Sequence, residues 1–413
     1  MHQKNKDSII RQRFETIEKN QRERNAAING GMEEGMVDLQ ESRRKIDEID
    51  RRLVELFEQR MELAIDVAEY KKSVGKPIYD AAREEEKLET VAAMTKYDFN
   101  QKATVDLFKQ IMSLSRKLQY TLNDHLDGLG YTEIEATIVD DGTKVAYYGE
   151  KGSYTEQAMM EYFKSEVDAA AMETFEEVMK AIKEGSADYG VLPIENSSTG
   201  TLSDIFDLLA KYDNVIIGEH LVKIEHNLWG LPGAQLSDIK KVYSHKQGLL
   251  QCSEYLKQHL DIKQVEGGST AGCARLILEE KDITQAAIAS KRAGQTHGLQ
   301  LLQASIHNED HNTTRFIIIS NKRIFLKGAQ RTSICFELPH KSGSLYHMLS
   351  HFIYNNLNMS KIESRPVAGK AFAYRFFVDV EGGLNSPEVK NALHCIKEEA
   401  LEMKILGCYI PVR

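Results

Sequence analysis

The sequence predicts a multidomain protein with an all-α unit first, an α/β unit second and an α+β unit last. Three observations predict this order. Apolar residues recur at heptad spacing from Leu39 to Val74, and short apolar runs alternate with helical patterns from Lys144 onwards. The segment from Thr332 to Arg413 has the pattern strand, helix, strand, strand, helix, strand. A chain of 413 residues is long enough for about two to four domains.

The composition excludes several classes of partner. The net charge is −9 with both signs well mixed, so no basic surface for nucleic acid is expected. The cysteines stand singly, which predicts a reduced, cytoplasmic protein without a metal site or cofactor. No apolar run approaches the roughly 20 residues of a membrane span, and the N-terminus lacks the apolar core of a signal peptide. Residues 1–35 are polar and predict a disordered or weakly helical extension.

The helical unit, residues 36–125, begins with a long helix made to pack against other helices. Its apolar seam consists of Ile46, Ile49, Leu53, Leu56, Leu63, Val67 and Tyr70. Arg60 occupies a seam position where the pattern requires an aliphatic side chain, and a buried guanidinium needs an anion. An internal carboxylate or contact with water would also satisfy it. Lys71 lies eleven residues further on, about 20° away around the helix, so both side chains can reach one ligand.

Two further helical segments add polar residues to this unit. Asp80, Arg83 and Glu84 open the second segment, after the break at Gly75 to Pro77. The third segment, from Ala103 to Leu122, carries an apolar stripe that Ser115 interrupts, with Gln119 one turn beyond. Polar residues that face into an apolar three-helix unit predict a pocket.

Residues 38–122 resemble the all-helical chorismate mutase domain. The matching positions are Arg43, Arg60, Lys71, Asp80, Arg83, Glu84, Ser115 and Gln119. The resemblance implies that they bind chorismate, which rearranges to prephenate by a pericyclic step without nucleophile or general base. Arginines would clamp the carboxylates, while Lys71 and Gln119 would donate to the ether oxygen where negative charge grows. Glu84 would accept a hydrogen bond from the ring hydroxyl.

The spacing of the two arginines on the first helix bears on the oligomeric state. Arg43 and Arg60 are seventeen residues apart, which is about 25 Å along one helix. They can hardly meet on one small ligand within a single chain. We therefore infer a homodimer of interlocked chains, or a higher oligomer, in which Arg43 crosses to the partner's site. The family resemblance implies the same arrangement.

The α/β segment, residues 144–325, follows a predicted linker, residues 126–143. Its most informative stretch is Pro193 to Thr201, which follows an apolar run and precedes a helical pattern. Backbone N–H groups at such a helix start bind anions, although an ordinary turn with an N-cap would have the same pattern. Three other turns with small polar residues open helices, at Gly152 to Thr155, Ser244 to Gln247 and Gly268 to Thr270. Together they predict a cleft that holds carboxylates.

This segment resembles prephenate dehydratase, whose fold is two α/β lobes around a cleft, like a periplasmic binding protein. The matching signatures are Gly149 to Tyr154, Pro193 to Gly200, Ser244-His245 with Gln247 and Gln251, Ser269 to Ala271, and Asn312 to Phe316. Lys246 stands where the family usually has Pro. The resemblance implies a prephenate site formed by Asn196, Ser197, Thr199, Ser244, Gln251, Ser269, Thr270, Thr314, Arg315 and Phe316.

In the reaction that this resemblance implies, prephenate loses CO2 and its ring hydroxyl and becomes phenylpyruvate. Thr314 would donate a hydrogen bond to the departing hydroxyl, since a threonine is too weak an acid to protonate it near neutral pH. The proton source stays open: His245 and His311 are candidates, and each also fits a structural or surface role. Arg315 is either the partner of a substrate carboxylate or a member of a plain salt bridge.

The last segment, residues 331–413, has the element order of a ferredoxin-like fold. It resembles the ACT domain, a small amino-acid-binding regulatory module. The matching residues are Gly343, Ser344, Leu345, Glu363, Ser364, Arg365 and Pro366. Ser344 stands where the family commonly has Ala. The resemblance implies feedback by L-phenylalanine, which would bind two states of the oligomer with different affinity.

The combined prediction is a bifunctional chorismate mutase and prephenate dehydratase with a regulatory phenylalanine site. Two alternatives stay open at this point. In the first, the chain is a monofunctional dehydratase and its helical unit serves only to dimerise it. In the second, the whole chain is an amino-acid sensor that catalyses no reaction.

Overall fold

The computed structural model describes residues 38–122, 129–164, 166–367 and 369–412. The predicted extension, residues 1–35, and the first residues of the predicted linker lie outside this range. The chain divides into two compact units, the first ending at Asp66 and the second running from Val67 onwards. This division falls inside the first helix, α1 (Leu39–Val74), and not at the predicted end of the helical unit near residue 125.

The described part of the first unit consists of α1 up to Asp66. The predicted seam lies exposed along this helix: Ile46, Leu53, Leu56 and Leu63 keep between 54% and 63% of their surface. Apolar side chains at heptad spacing that remain in water indicate a face made for another helix.

The second unit begins with the last turns of α1, followed by α2 (Ala81–Ala93) and α3 (Asp98–Thr121). Asp80 caps α2 because its carboxylate accepts a hydrogen bond from the backbone N–H of Arg83, at 3.1 Å. The buried residues of α3 include polar ones, namely Ser113, Ser115, Arg116 and Gln119. The polar pocket-facing positions predicted on the third helix are therefore buried.

The α/β segment alternates strands and helices as predicted. In chain order its elements are β1 (Thr132–Ile134), β2 (Lys144–Tyr148), α4 (Tyr154–Phe163), β3 (Asp168–Met172), α5 (Phe175–Glu184), β4 (Tyr189–Asn196), β5 (Gly200–Thr201), α6 (Ser203–Lys211), β6 (Val215–Lys223), β7 (Asn227–Gly230), β8 (Lys241–His245), α7 (Lys246–Gln251), α8 (Ser253–Lys257), β9 (Lys263–Gly267), α9 (Thr270–Glu280), β10 (Gln285–Ala289), α10 (Lys291–Thr296), β11 (Gln300–Gln303), β12 (Thr313–Ser320) and β13 (Ile324–Leu326). A short 3₁₀ turn, Leu236–Asp238, precedes β8.

Apart from β1 and β13, these strands belong to two separate sheets. One has the order β6-β12-β4-β2-β3, with β5 paired to β4, and the other has the order β11-β7-β10-β8-β9. Each sheet has its own buried apolar cluster, so the segment has two lobes. β1 pairs in parallel with β13, so the stretch predicted as a linker contributes a strand.

The C-terminal segment, residues 331–409, contains β14 (Arg331–Glu337), α11 (Ser344–Tyr354), β15 (Met359–Pro366), β16 (Tyr374–Glu381), α12 (Pro387–Glu399) and β17 (Glu402–Tyr409). This is the predicted order. Its sheet, β15-β16-β14-β17, continues into the first lobe because β17 pairs in parallel with β6 at Gly407 and Ile216. A Cβ at Gly407 would lie 2.1 Å from the Ile216 carbonyl oxygen, so only glycine permits this approach.

None of the described helices is long and apolar enough to cross a membrane.

Candidate active sites

A cavity of about 480 Å³ lies where the two lobes meet. Its walls come from the C-terminal end of β4, the start of β12, and the first turns of α4, α7 and α9. Such a cleft between lobes is a common location for a small-molecule site. The predicted site residues that line it are Asn196, Thr199, Gln251, Ser269, Thr270, Thr314 and Phe316.

Asn196 and Thr314 form the best-defined pair of this cavity, because β4 and β12 are antiparallel and place the two residues opposite each other. The Asn196 Nδ2 donates to Thr314 Oγ1 at 2.9 Å and to Asn312 Oδ1 at 2.7 Å. The Asn196 Oδ1 accepts from the backbone N–H groups of Ser198 and Thr199, both at 3.0 Å. These bonds fix the amide orientation. Thr314 Oγ1 therefore acts as an acceptor towards Asn196 and keeps its own proton for a ligand.

A second polar group of the cavity centres on His226, which the sequence analysis missed. His226 Nε2 lies 2.9 Å from Gln251 Oε1, and its Nδ1 lies 3.4 Å from the Tyr154 hydroxyl. Burial lowers the pKa of His226, and the bond to Gln251 opposes this shift. The histidine is thus neutral near pH 7, donates to Gln251 and fixes its side chain. Its place directly before the apolar strand β7 is the sequence signal that marks it as buried.

Glu150 places a carboxylate at the edge of the same cavity and joins the lobes. It follows β2 of the first lobe and accepts from the Ser269 hydroxyl of the second lobe at 3.2 Å. Arg275 Nε also donates to Glu150, at 3.0 Å. Ser269 caps α9 by accepting from the backbone N–H of Gly272, at 2.8 Å. The two lobes are therefore joined by a charged contact beside the helix start.

Three predicted site residues differ from expectation, because their side chains do not line the cavity. Arg315 lies on the opposite face of β12 from Thr314 and binds Glu195 at 2.9 Å, Glu219 at 3.3 Å and Asp379 at 3.6 Å. Strand alternation causes this placement, so Arg315 is a salt-bridge residue in the structure. Ser244 is fully buried and donates to the Ile288 carbonyl, while Ser197 accepts from the Thr313 N–H.

The two candidate histidines occupy different positions. His245 lines the cavity, and its Nδ1 accepts a hydrogen bond from the Gln247 N–H at 3.2 Å, which caps α7. The side chain of His311 is exposed, and its backbone carbonyl accepts from the Ser197 hydroxyl. Of the two, only His245 belongs to the described lining.

The second unit holds the predicted mutase residues from Lys71 onwards. The Lys71 Nζ donates to the Ile78 carbonyl, and burial lowers the pKa of this lysine against the opposing charges of Asp80, Glu84 and Glu398. The Gln119 side chain is buried, and its Oε1 has no hydrogen-bond partner among the described residues. Ser115 is buried one turn before Gln119 and donates to the Ile111 carbonyl at 2.9 Å. Arg83 is exposed and pairs with Glu86 at 2.7 Å.

The remaining two predicted mutase residues lie on α1 in the first unit. Arg43 is exposed and Arg60 is partly buried. Both are on one continuous helix, so the rise per residue sets their separation at about 25 Å, as the spacing predicted.

The predicted phenylalanine-binding residues occupy two places in the C-terminal segment. Ser344 and Leu345 line a cavity of about 550 Å³ at the start of α11, directly after Gly343. The other signature, Glu363 to Pro366, lies on β15, where Arg365 pairs with Asp207 of α6 at 2.8 Å. In the described chain the two signatures therefore face different surroundings.

Comparison with known proteins agrees with this architecture. The chorismate mutase type II family model matches residues 42–120, and the prephenate dehydratase family model matches residues 145–324. A prephenate dehydratase from Arthrobacter aurescens, solved in complex with L-Phe, is 30% identical with a TM-score of 0.61 and covers 65% of this chain and 90% of that one. A quorum-quenching acylase, GqqA, is 29% identical with a TM-score of 0.60 and covers 65% of this chain and 98% of that one. The protein thus combines a mutase and a dehydratase in one chain.

The similarity to curated relatives extends over nearly the whole chain. The bifunctional chorismate mutase/prephenate dehydratase of Aquifex aeolicus is 32% identical over 91% of this chain and 98% of its own. The enzyme of the same name from Escherichia coli is 31% identical over 89% of this chain and 95% of its own. The chain belongs to the bifunctional chorismate mutase/prephenate dehydratase family. It isomerises chorismate to prephenate and converts prephenate to phenylpyruvate, two steps of phenylalanine biosynthesis.

Proposed function

We propose that the cavity between the two lobes is the dehydratase site, with Thr314 as the group that assists hydroxyl departure. The observation that carries this proposal is the hydrogen bond from Asn196 Nδ2 to Thr314 Oγ1. Since the threonine oxygen already accepts, its proton points to a ligand. Prephenate needs a donor at its ring hydroxyl while CO2 leaves, and a preformed, buried donor stabilises the charge that develops there. His226 and Gln251 also line this cavity.

The test is Thr314→Val, with Thr314→Ser and Thr313→Val as controls. Valine keeps the shape and removes the donor, so we expect kcat of the dehydratase to fall by about 10²–10³. Serine restores the hydroxyl and recovers most of this loss. Thr313 lies on the other face of the strand, so its valine variant stays active. Mutase activity of the same preparations reports folding, and a fully active Thr314→Val enzyme would overturn the proposal.

For the mutase site we propose the roles that the sequence predicts. Lys71 and Gln119 donate to the ether oxygen, Arg60 and Arg83 bind carboxylates, and Glu84 accepts from the ring hydroxyl. Asp80 and Ser115 complete the substrate-binding set. The buried Oε1 of Gln119 has no hydrogen-bond partner among the described residues, and as an acceptor it would take a donor group of a ligand. Donation to the ether oxygen would come from the Nε2 of the same amide.

We also propose that the protein works as a homodimer in which a second copy covers the exposed face of α1. The exposed residues Ile46, Leu53, Leu56 and Leu63 support this, since they repeat at the spacing of a helix–helix seam. Arg43 would reach the partner's substrate from this face. Sedimentation of the intact protein at several concentrations measures the state directly, and a monomer at micromolar concentration contradicts the proposal.

The C-terminal segment is proposed as an ACT domain that senses L-phenylalanine. Its element order and its direct contacts with the first lobe support this role. Lys361 of β15 binds Glu195 at 3.1 Å and the Thr201 hydroxyl at 3.2 Å. Glu195 directly precedes Asn196, so a shift of β15 acts on the strand that carries the site. We further propose that the enzyme is cytoplasmic, and that residues 36–125, 144–325 and 331–413 are its functional domains.

A further inference from the structure

The structure contains a buried arginine, Arg116, which is not among the predicted site residues. It lies on α3 between Ser115 and Gln119, and its side chain is 6% exposed. Its guanidinium binds the Glu84 carboxylate through Nη1 and stacks over the Tyr79 ring, with 5.1 Å from Cζ to the ring centre. A planar guanidinium on an aromatic face beside a carboxylate is strongly oriented.

Arg116 also reaches a distant part of the chain. Its Nη2 lies 2.7 Å from the Oε1 of Glu399, at the end of α12 in the C-terminal segment. His351 of α11 lies 3.1 Å from the other Glu399 oxygen. Burial lowers the pKa of Arg116, but the two carboxylates outweigh it and the net shift is upwards, so the cation is permanent. Glu84 and the C-terminal segment are therefore joined through one charged side chain.

The same face of α3 makes further contacts with the C-terminal segment. Lys117 Nζ donates to the Tyr354 carbonyl, and the Tyr120 hydroxyl donates to Glu398. The Tyr120 ring stacks on His394 at 5.3 Å. Among these residues of α3, Arg116 differs from Lys117 and Tyr120 because it also contacts Glu84, a residue of the proposed mutase site.

We propose that Arg116 is a positioning residue for the mutase reaction: it holds the Glu84 carboxylate ready to accept from the substrate, and Glu399 of the C-terminal segment anchors it. This inference rests on the proposed role of Glu84. A carboxylate without Arg116 would rotate freely, and ordering it would then cost free energy in every turnover. The mutase site is thereby complete only while the C-terminal segment is docked.

The test is a double-mutant cycle of Arg116→Leu and Glu84→Gln in the full-length protein, with mutase kinetics on chorismate. We expect Arg116→Leu to lower mutase kcat/KM by about tenfold to a hundredfold, the size of one charge-assisted hydrogen bond. In the Glu84→Gln background the same change should have little further effect. Arg116→Lys should recover part of the loss, since a lysine restores the positive charge but lacks the two guanidinium nitrogens that bind Glu84 and Glu399 at the same time. Dehydratase activity of each preparation reports folding.

Lys117→Met is the matched control, because it removes a contact of the same helix with the same segment and leaves Glu84 untouched. It should keep mutase activity within about twofold. Glu399→Gln removes the charge that binds Arg116 but keeps the size of the side chain, so it creates no cavity. It should lower mutase kcat/KM, and it tests the inference even if Arg116→Leu does not fold.

Multiplicative effects of Arg116→Leu and Glu84→Gln would overturn the inference, as would an equal loss in Lys117→Met. If Glu84→Gln alone is neutral while Arg116→Leu is impaired, the proposed role of Glu84 fails. If Glu84→Gln is impaired and Arg116→Leu is neutral, only the role of Arg116 fails.

Discussion

Replacing Lys361 by Met should weaken the proposed inhibition of the dehydratase by L-phenylalanine. Lys361 is the cation on β15 that binds Glu195 of the first lobe at 3.1 Å, and it also lies over the Phe206 ring. Glu195 in turn binds Arg315, whose other partners include Asp379 of β16. This relay of alternating charges, here called the Lys361 relay, runs behind Asn196 and Thr314. A ligand that moves β15 would change the relay first.

The size of the effect follows from the geometry. At 3.1 Å and an effective dielectric constant near 20, the attraction between Lys361 and Glu195 is about 5 kcal/mol. The Lys361 side chain is 13% exposed and that of Glu195 is 38% exposed, so desolvation and screening leave a net contribution of about 1 kcal/mol. If the contact forms in one state only, its loss changes the coupling free energy by the same amount. The L-phenylalanine concentration for half-inhibition should then rise about fivefold.

The assay is phenylpyruvate formation from prephenate over a range of L-phenylalanine concentrations. Activity without L-phenylalanine should stay within about twofold of the parent enzyme, because Lys361 does not line the cavity. Lys370→Met is the control, since Lys370 pairs with Glu337 inside the C-terminal segment. An unchanged half-inhibition in Lys361→Met, or the same shift in Lys370→Met, would refute the relay.

Two further predictions concern the mutase and the acid stability. Arg60→Leu repairs the apolar seam of α1 but removes a proposed ligand of a substrate carboxylate. Mutase kcat/KM should therefore fall by about 10² or more while the dehydratase stays active, and both activities are measured on one preparation. Burial lowers the pKa of His226 below its ordinary 6.5, so its contribution to stability is complete above that pH and is lost as the pH falls towards the lowered pKa. Thermal melts from about pH 7.5 to about pH 5 should therefore show a smaller acid loss for His226→Gln than for the parent; identical slopes would contradict this.

Most of the helices and strands were predictable because their apolar periodicity is strong. β3 was not, since Asp168 to Met172 is rich in alanine and lacks the branched side chains typical of strands; its pairing with β2 makes it a strand. The placement of Arg315 could have been predicted from the alternation of side chains along its strand. Alternation along β12 puts Thr314 and Phe316 on the cavity face and Arg315 on the other.

Other parts of the sites depend on contacts that no local pattern contains. The Arg116 partner Glu399 is 283 residues away in the chain, and spacing alone could not pair them. His226 and Gln251 meet because β7 and α7 belong to one lobe, although they are 25 residues apart. Sequence patterns predicted some of the buried polar residues, such as Ser115 and Gln119, but not His226 or Arg116, and the fold decides which of them meet.

The close pairing of Gly407 with Ile216 affects how the protein can be divided. Without β17, the hydrogen-bonding groups of β6 on that side would form an open sheet edge, a surface on which other chains add strands. A shortened enzyme that ends near residue 325 would therefore carry a tendency to aggregate, quite apart from any loss of regulation. Expression of the catalytic lobes alone would need a charged residue or a proline placed on β6 to keep the product monodisperse.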